Sequence, residues 1–368
     1  MRQFEYFLFE NYDADEESAN PYNPRRILGK ETDPILSDII DGTDFNPNDD
    51  SELIRKLITG GVVRWQDKKL KYDCPIFLRE DASTLRAEVV SKATEIVDTL
   101  EKSLPQIQNS CSKIENGFPE ELNLYHILCG MVFDGRCFDY LSGRGGVATA
   151  RQHPSGLDYL TVIYEKCPEL QELSNGLLCS YNRFVNAKCS LQSFGDAQGN
   201  RFDFYRFFRL HEQGMLSDRF RDAAALINDS ISKDSILNEV VSLLRTGRCN
   251  PVVMNLLELF GYSSDGAVCV PVFRPEDEKT ISKIGCIVEN ALGDAMTDAL
   301  TMLAGSIEIT AVKHGVNPLE IANELYHILF GTINEELISR GIVARPQHIP
   351  GEGRYFKCIE LYDQEETR

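Results

Sequence analysis

The chain has 368 residues, 42% hydrophobic and 26% charged, so it can build two or three globular domains, and disorder of the whole chain is not expected. Its net charge of −19 at pH 7 argues against a nonspecific nucleic-acid coat or a binder of anionic membranes, because both need a broadly cationic face. The charge is compatible with a small basic DNA-binding patch on an acidic body, and its plain interpretation is solubility.

Cysteine usage and the N-terminal residues bear on the cellular compartment. The sequence holds 11 cysteines, an odd number without a C-x-x-C pair, and many of them stand among apolar residues. Free cysteine of this kind behaves as a small buried hydrophobe, which is typical of a reducing compartment and not of a disulfide framework. The first residues lack the signal-peptide pattern, and no run of about 18 apolar residues occurs. We therefore predict a cytoplasmic protein without a membrane segment.

An internal repeat organises the chain. Four blocks recur in the same order in the two halves: residues 4–7 with 202–205, 74–81 with 270–277, 124–130 with 325–331, and 150–153 with 344–348. Four colinear matches with a nearly constant offset predict two diverged copies of one unit. We place the copies at about 1–165 and 200–368 and a connector at 166–199.

The first copy opens with a short helix and a hairpin. Residues 51–58 have helical character, and the glycine pair 60–61 ends the helix. Residues 62–65 and 70–73 read as two strands joined by a polar turn, which predicts a β-hairpin directly after the helix. A polar loop, 44–50, precedes these elements.

The second copy preserves a pair of helices better. Residues 235–244 place apolar side chains at helical spacing, and a glycine-containing turn follows. Asn250 is the expected N-cap of the next helix, with Pro251 at its first position, and the helix stops at Gly261. A strand at 267–270 comes next, so the order is helix, turn, helix and strand.

A long amphipathic helix follows in each copy. Asp81 and Asp277 are plausible N-caps, and the apolar stripes after them are long enough to need another helix as a partner. The two copies could pair through these helices as two subunits do, which would make the chain a fused dimer with pseudo-twofold symmetry. Each copy then ends with a Leu-Tyr-His-Ile-Leu helix, a turn and a strand, at 159–164 or 355–362.

Helix, turn, helix and a cationic hairpin, followed by a Pro-x-Phe block that opens a long helix, resemble bacterial winged-helix transcriptional regulators. The resemblance covers about 25–80 and 215–277. It implies that the hairpin is a wing along DNA and that the helix before it is a recognition helix, although winged helices also serve as protein-interaction modules. The predicted fold is mainly α with small β-hairpins, built as two tandem winged-helix-like units with long pairing helices.

The cations of these elements are the candidate DNA contacts. They are Arg55, Lys56, Arg64, Lys68, Lys69, Lys71, Arg245 and Arg248. Four of them crowd into the first hairpin, where they either contact phosphate or form a solvated hairpin tip. The helix at 250–260 has no Lys or Arg and carries Glu258, although contacts to guanine usually come from these cations. We therefore predict unequal units, with the first copy holding the stronger phosphate contacts.

Two repeated Tyr-His pairs are the other candidate site. Tyr125 and His126, and likewise Tyr326 and His327, lie inside apolar helices. Each histidine could be a packed core residue with a satisfied hydrogen bond, part of a pocket for a ligand near the pseudo-twofold axis, or half of a metal pair. The first interpretation is the plainest, and the second makes these four residues candidate ligand contacts.

Signatures of catalysis and of cofactors are missing from the sequence. It has no P-loop, no G-x-S-x-G elbow and no H-E-x-x-H, and the glycine-rich stretch 142–146 follows a helix where a phosphate loop would follow a strand. We therefore expect no enzyme, no cofactor and no metal. The leading hypothesis is a cytoplasmic regulator that binds DNA and can be controlled by a small-molecule effector or a protein partner. The alternative is a non-catalytic protein-interaction or ligand-binding protein that has lost DNA binding.

Overall fold

The structure, a computed structural model, describes residues 2–10, 20–46, 51–174, 176–197, 199–212, 214–227 and 231–363. About 53% of the chain is helical and 17% is strand, which confirms a mainly α fold with small sheets. The predicted polar loop at 44–50 falls partly outside the described residues, since 47–50 are not among them.

Helices make up most of the described chain. The α-helices are α1 Pro24–Ile27, α2 Asp33–Ile40, α3 Glu52–Thr59, α4 Ala82–Glu101, α5 Leu104–Cys111, α6 Glu120–Leu124, α7 Phe138–Gly143, α8 Pro168–Ser174, α9 Phe204–Glu212, α10 Arg221–Leu226, α11 Lys233–Thr246, α12 Pro251–Leu259, α13 Glu278–Ser306, α14 Thr310–Lys313 and α15 Pro318–Ser339. A π-helical stretch, Tyr125–Cys137, joins α6 to α7, and 3-10 turns occur at Arg79–Asp81, Asp218–Phe220 and Pro275–Asp277.

The strands are short except in two sheets. They are β1 Phe4–Glu10, β2 Val63–Gln66, β3 Lys69–Tyr72, β4 Ile76–Phe77, β5 Arg151–Gln152, β6 Asp158–Glu165, β7 Leu178–Val185, β8 Cys189–Asp196, β9 Ser263–Ser264, β10 Ala267–Val268, β11 Val272–Phe273, β12 His348–Ile349 and β13 Gly353–Leu361. The predicted first hairpin and the strands that end the two copies lie within one or two residues of β2, β3, β6 and β13.

The chain forms two compact units, and each unit is assembled from three segments. The first unit comprises Met1–Ile96, Phe138–Gly176 and Leu292–Thr332. The second comprises Val97–Cys137, Leu177–Ala291 and Ile333–Arg368. Each of the sequence copies placed at about 1–165 and 200–368 therefore contributes residues to both units.

The sheets of the two units have the same topology. In the first unit, β6 pairs antiparallel with β1 and β5 and parallel with β4. In the second unit, β13 pairs antiparallel with β8 and β12 and parallel with β11. An additional strand, β7, pairs with β8. Apart from β7, the sheets match strand for strand, which is the result expected of an internal repeat.

Individual hydrogen bonds fix which residues of the two sheets are equivalent. The Ile163 N–H donates to the Pro75 carbonyl at 2.9 Å, and the Ile359 N–H donates to the Pro271 carbonyl at 2.9 Å. Phe77 lies opposite Tyr164 in the first sheet, just as Phe273 lies opposite Glu360 in the second. The match between blocks 74–81 and 270–277 therefore holds residue by residue in the structure.

The first of the four sequence blocks was matched wrongly. Residues 4–7 lie in β1, whereas Phe204 begins a helix, α9, with Phe204 and Phe207 buried on one face. The counterpart of β1 is β8, which lies inside the segment 166–199 predicted as a connector, together with α8 and β7. The error has a simple cause, because clustered aromatic residues suit a strand and a buried helix face equally well.

The helix pair in the second unit forms as the sequence predicts. α11 ends at Gly247, which adopts a left-handed conformation with φ 72°. The Asn250 side chain then accepts a hydrogen bond from the Val252 N–H, and Pro251 is the first residue of α12. Helix, turn, helix and hairpin thus follow one another from α11 to β10.

The aspartates predicted as N-caps lie instead at the third position of 3-10 turns whose N-cap residues are Leu78 and Arg274, and each reaches back to the backbone of that N-cap. The Asp81 carboxylate accepts the Leu78 N–H at 2.8 Å, and the Asp277 carboxylate accepts the Arg274 N–H at 2.9 Å. Each bond closes a 3-10 turn from which α4 or α13 continues. The proposed pairing of these two long helices stays a prediction.

Candidate nucleic-acid interface

The candidate interface is formed by α3 and the hairpin β2–β3, residues 52–72, which we call the α3–hairpin surface. α3 buries Leu57 on its inner face, and the left-handed Gly61, with φ 64°, turns the chain from the helix into β2. The two strands pair antiparallel, with Gln66 opposite Lys69 at the tip. The helix end and the hairpin therefore hold their cations on one short stretch of chain.

The turn of this hairpin has an unusual residue. Asp67 and Lys68 both adopt left-handed conformations, with φ 51° and 63°. Two-residue turns of this kind match the twist of the strands but favour glycine at the second position. The hairpin of the second unit follows that rule with Asp265 and Gly266, at φ 52° and 76°. Lys68 therefore stands where its counterpart is glycine, and a side chain there costs roughly 1–2 kcal/mol.

Most of the predicted cations on this surface reach solvent. Lys68 and Lys69 are exposed at the hairpin tip, and Arg55 is exposed on α3. Lys71 is partly buried on β3. Lys56 forms an ion pair with the carboxylate four residues before it in α3, with a nitrogen–oxygen distance of 2.7 Å. The tip lysines and Arg55 are thus the side chains best placed to meet an anion.

Arg64, another predicted contact, is engaged by the fold itself. Its guanidinium pairs with the Asp73 carboxylate at 2.5 Å and donates to the Tyr72 carbonyl at 3.1 Å. It also donates to the carbonyls of His314 and Gly315, at 3.0 and 2.8 Å. These bonds anchor the base of the hairpin within the first unit, so the role supported for Arg64 is structural.

A second arginine extends this anchor in a way that sequence patterns do not reveal. Arg151 contacts the Asp73 carboxylate at 2.9 Å and the Glu320 carboxylate at 3.3 Å. Glu320 is only 1% exposed, and burial raises its pKa to about 7. The hairpin base is therefore held by Arg64 and Asp73 together with Arg151 and Glu320, and the last two lie far from the hairpin in the sequence.

The predicted cations of the second unit lie in the last turn of α11 and in the turn that follows it. Arg245 and Arg248 are exposed on either side of Gly247. The helix that follows, α12, exposes Asn255 and Glu258 but no cation. The second unit therefore lacks a basic counterpart of α3.

The two matching surfaces have net charges of opposite sign. Residues 52–72 hold six cationic and two acidic side chains, a net charge of +4. The equivalent stretch 251–268 holds no cation and two acidic side chains, a net charge of −2. In a chain of net charge −19, the α3–hairpin surface is thus a local basic patch.

The first Tyr-His pair lies in the core of the second unit. Tyr125 and His126 are fully buried, and the Tyr125 hydroxyl donates to the Phe194 carbonyl at 3.0 Å. Neither ring nitrogen of His126 has a hydrogen-bond partner among the described residues, and aromatic rings of Phe273 and Phe356 lie about it. Burial lowers the pKa of His126 to about 3, so its imidazole is neutral.

The second Tyr-His pair belongs to the first unit. The His327 Nδ1 lies 2.8 Å from the carbonyl of Asn323, one turn earlier in α15. Its ring stacks on Phe9 with 4.8 Å between the centroids, and Tyr326 beside it is fully buried. Burial lowers the pKa of His327 to about 4. His327 is partly buried and its contacts are packing contacts within the first unit, and the two pairs lie in different units.

The part of the chain that the structure describes contains neither a metal-ligand cluster nor a helix able to cross a membrane. No group of three or more His, Cys, Asp or Glu side chains there is arranged to hold a metal ion. No helix in the same part of the chain is long and apolar enough to cross a membrane.

No protein-family model, no curated protein and no solved structure matches this chain. The function proposed below therefore rests on the residues and geometry of the chain itself.

Proposed function

We propose that this protein is a DNA-binding regulator whose first unit works as a winged-helix module. In this proposal the hairpin β2–β3 is the wing, with Lys68 and Lys69 on the phosphate backbone, and α3 faces the major groove with Arg55. The succession of helix, hairpin and basic patch supports the proposal, and the single observation that carries it is the conformation of Lys68.

Lys68 makes the hairpin less stable than glycine would at the same position. Its left-handed φ of 63° suits glycine, and the second unit has Gly266 at the same place. A strained residue that a simple substitution would relieve points to a role outside folding. An exposed cation at the tip of a hairpin is suited to contact phosphate, so the strain has a functional explanation.

The second unit supports a different role within the same proposal. Its α12 exposes Glu258 and no cation, and its stretch 251–268 carries a net charge of −2. Such a surface would be repelled by DNA. We propose that the second unit serves as a protein-interaction module that has lost DNA binding. The alternative function suggested by the sequence would then hold for this unit alone.

Replacing Lys68 by Gly should separate binding from stability. We expect Lys68→Gly to stabilise the protein by roughly 1 kcal/mol, because glycine relieves the left-handed strain. Combined with Lys69→Ala, it should weaken DNA binding about tenfold or more at 0.1 M salt and lower the slope of log K against log salt by about 1.8, since two phosphate contacts are lost. Urea denaturation and fluorescence anisotropy with labelled duplexes over a salt series measure the two effects.

A double substitution of Lys102 and Lys113 by Ala provides the matched control. Both lysines are exposed, and the variant has the same net charge as the hairpin variant. DNA binding equal to that of the wild type is expected. The proposal fails if the wild-type protein binds no duplex at low salt, or if the hairpin and control variants lose affinity equally.

A further inference from the structure

A buried carboxyl group, that of Glu320, is joined to the base of the first hairpin through Arg151. Glu320 lies in the first turn of α15, and its side chain is only 1% exposed. Its carboxylate is 3.3 Å from the Arg151 Nε, and neither of its oxygens has a hydrogen-bond partner among the described residues. A negative charge is costly at such a place, because neither water nor hydrogen bonds compensate for its burial.

Arg151 connects this carboxyl to both ends of the hairpin. Its Nη2 donates to the carbonyl of Gly61, which precedes β2, at 3.3 Å. The same nitrogen donates to the carbonyl of Asp73, which follows β3, at 2.6 Å and to the Asp73 carboxylate at 2.9 Å. Asp73 in turn pairs with Arg64 of β2 at 2.5 Å. The charge of Glu320 is therefore one ionic contact away from the group that clamps the hairpin.

The total charge of this group depends on the protonation of Glu320. With Glu320 ionised, the two arginines Arg64 and Arg151 balance the two carboxylates of Asp73 and Glu320. With Glu320 protonated, the group has a net charge of +1. Burial raises the pKa of Glu320 to about 7, against the opposing effect of Arg151, and the nearby Asp73 carboxylate raises it further. The charge at the hairpin base therefore changes near neutral pH.

The other titratable side chains around this group do not change their charge in the same way. Burial raises the pKa of the Cys74 thiol far above neutrality, and it lowers the pKa of His314 to about 4. Burial also lowers the pKa of His153, so these three groups are uncharged near pH 7. Glu324, one turn further along α15, has a pKa raised to about 7, but its carboxylate bonds to the Tyr164 hydroxyl and not to the hairpin base.

The hairpin of the second unit has uncharged residues at the matching positions. The Cys269 N–H donates to the carbonyl of Tyr262 at 3.0 Å. The Asp73 N–H donates to the carbonyl of Val62 at 2.9 Å in the same way, so Cys269 takes the place of Asp73. Ser264 of β9 takes the place of the arginine in β2. A hairpin of this shape thus forms without these charges, and buried ion pairs add little stability, so the charges beneath the cationic hairpin need another explanation.

On the basis of the proposed DNA-binding function, we propose that protonation of Glu320 strengthens the binding of DNA by the α3–hairpin surface. The protonated form leaves a positive charge at the hairpin base, which attracts the phosphate backbone along the wing. The ionised form cancels that charge. Glu320 acts through Arg151 and Asp73 without contacting DNA, and the affinity rises as the pH falls from 8 to 6.

Duplex binding at pH 6 and pH 8, measured by fluorescence anisotropy at constant salt, tests this proposal. The wild type should bind roughly threefold more tightly at pH 6, which is the effect of one unit charge at about 10 Å from phosphate near a protein surface. Glu320→Gln has nearly the same shape and no charge, so it should bind at both pH values as tightly as the wild type does at pH 6. A merely structural role of Glu320 predicts the opposite, weaker binding by the variant at both pH values.

Glu324→Gln is the matched control, because it removes a carboxyl of the same helix that titrates in the same range. This variant should keep the pH dependence of the wild type. Trp65, the only tryptophan of the chain, lies in β2 and reports on the hairpin without DNA. The NMR resonance of its indole N–H should shift with a midpoint near pH 7 in the wild type and in Glu324→Gln, but not in Glu320→Gln. Circular dichroism verifies that both variants remain folded.

The outcomes distinguish this proposal from the DNA-binding function on which it rests. Equal affinity of the wild type at pH 6 and pH 8, or an unchanged pH dependence in Glu320→Gln, overturns the proposal and leaves DNA binding intact. Absence of duplex binding at both pH values refutes the DNA-binding function and this proposal with it. A Trp65 resonance that shifts alike in the wild type and Glu320→Gln also overturns the proposal, because Glu320 would then not be coupled to the hairpin.

Discussion

Residues 1–176 alone should fail to fold, although they contain the whole of the first sequence copy. The first unit needs the segment Leu292–Thr332, which is supplied from the other half of the chain. Thr310 donates to the Asp81 carboxylate through its N–H at 2.9 Å and its hydroxyl at 3.1 Å. The fragment would lose these bonds together with the carbonyls that hold Arg64.

The apolar loss is larger still. Six large side chains of the missing segment are fully buried: Ile309, Ile321, Leu325, Tyr326, Leu329 and Phe330. Burial of such side chains contributes about 1.5–3 kcal/mol each, so their sum is comparable to the whole stability of an ordinary domain, about 5–15 kcal/mol. The first half alone therefore cannot retain its native core.

Expression of the two halves, 1–176 and 177–368, tests this expectation. Each should lack a cooperative unfolding transition alone, and the two together should form a one-to-one complex with native far-UV and near-UV circular dichroism. The mixture is the control, because it contains every residue and lacks only one peptide bond. A cooperative transition for 1–176 alone would show that the segment Leu292–Thr332 is dispensable for folding of the first unit.

Glu324→Gln should change the pH dependence of stability by about 3 kcal/mol. Glu324 is 6% exposed in α15, and its carboxylate accepts the Tyr164 hydroxyl at 2.5 Å. Burial raises its pKa from the ordinary value of 4.5 to about 7. Since the folded state holds the proton more tightly, the stabilisation is fully present below pH 4.5 and is lost as the pH rises to about 7.

The magnitude follows from the two pKa values. Each unit of difference corresponds to about 1.4 kcal/mol, which gives roughly 3 kcal/mol for Glu324. Urea denaturation at pH 5 and pH 8 should therefore show that Glu324→Gln gains about this much relative to the wild type at the higher pH. Other buried groups titrate alike in both proteins and cancel in the comparison.

Tyr164→Phe serves as the companion variant, because the Tyr164 hydroxyl lowers the pKa of Glu324. Its removal should raise that pKa further and steepen the loss of stability above pH 7. A difference between wild type and Glu324→Gln that does not vary with pH would mean that the carboxyl has an ordinary pKa.

Local features of the fold were predictable because short-range chemistry determines them. Asn250 and Pro251 begin α12 through their own side chains, and Gly247 ends α11 because a left-handed residue is needed there. The two strand-like stretches 62–65 and 70–73 with a polar turn between them likewise indicated the first hairpin. In each case the deciding residues lie within a few positions of one another.

Long-range features were not predictable from the same patterns. β8 is buried along its whole length but contains Gln192 and Ser193. These polar residues interrupt the apolar run by which a buried strand is normally predicted. They are satisfied by remote carboxylates: Gln192 donates to Glu360 at 2.7 Å, and Ser193 donates to Asp203 at 2.6 Å. No pattern in the neighbouring sequence predicts these hydrogen-bond partners.

The candidate site likewise combines a feature that the sequence predicts with one that it does not. Charge clustering identified the basic hairpin, but the four cations of the hairpin look alike in sequence, and only the bonds of Arg64 with distant groups distinguish it from Lys68 and Lys69.

The order of synthesis also delays completion of the first unit, because the last of its three segments, Leu292–Thr332, is made long after the other two. Residue Gly176 leaves the ribosome about 150 residues before Thr332, a delay of roughly 8–30 s at bacterial and eukaryotic rates of synthesis. Throughout that interval the N-terminal half has been made but the residues that complete its core have not. The protein should therefore finish its first unit only after Thr332 has been made, and chaperones have that long to bind the surface that the missing segment would cover.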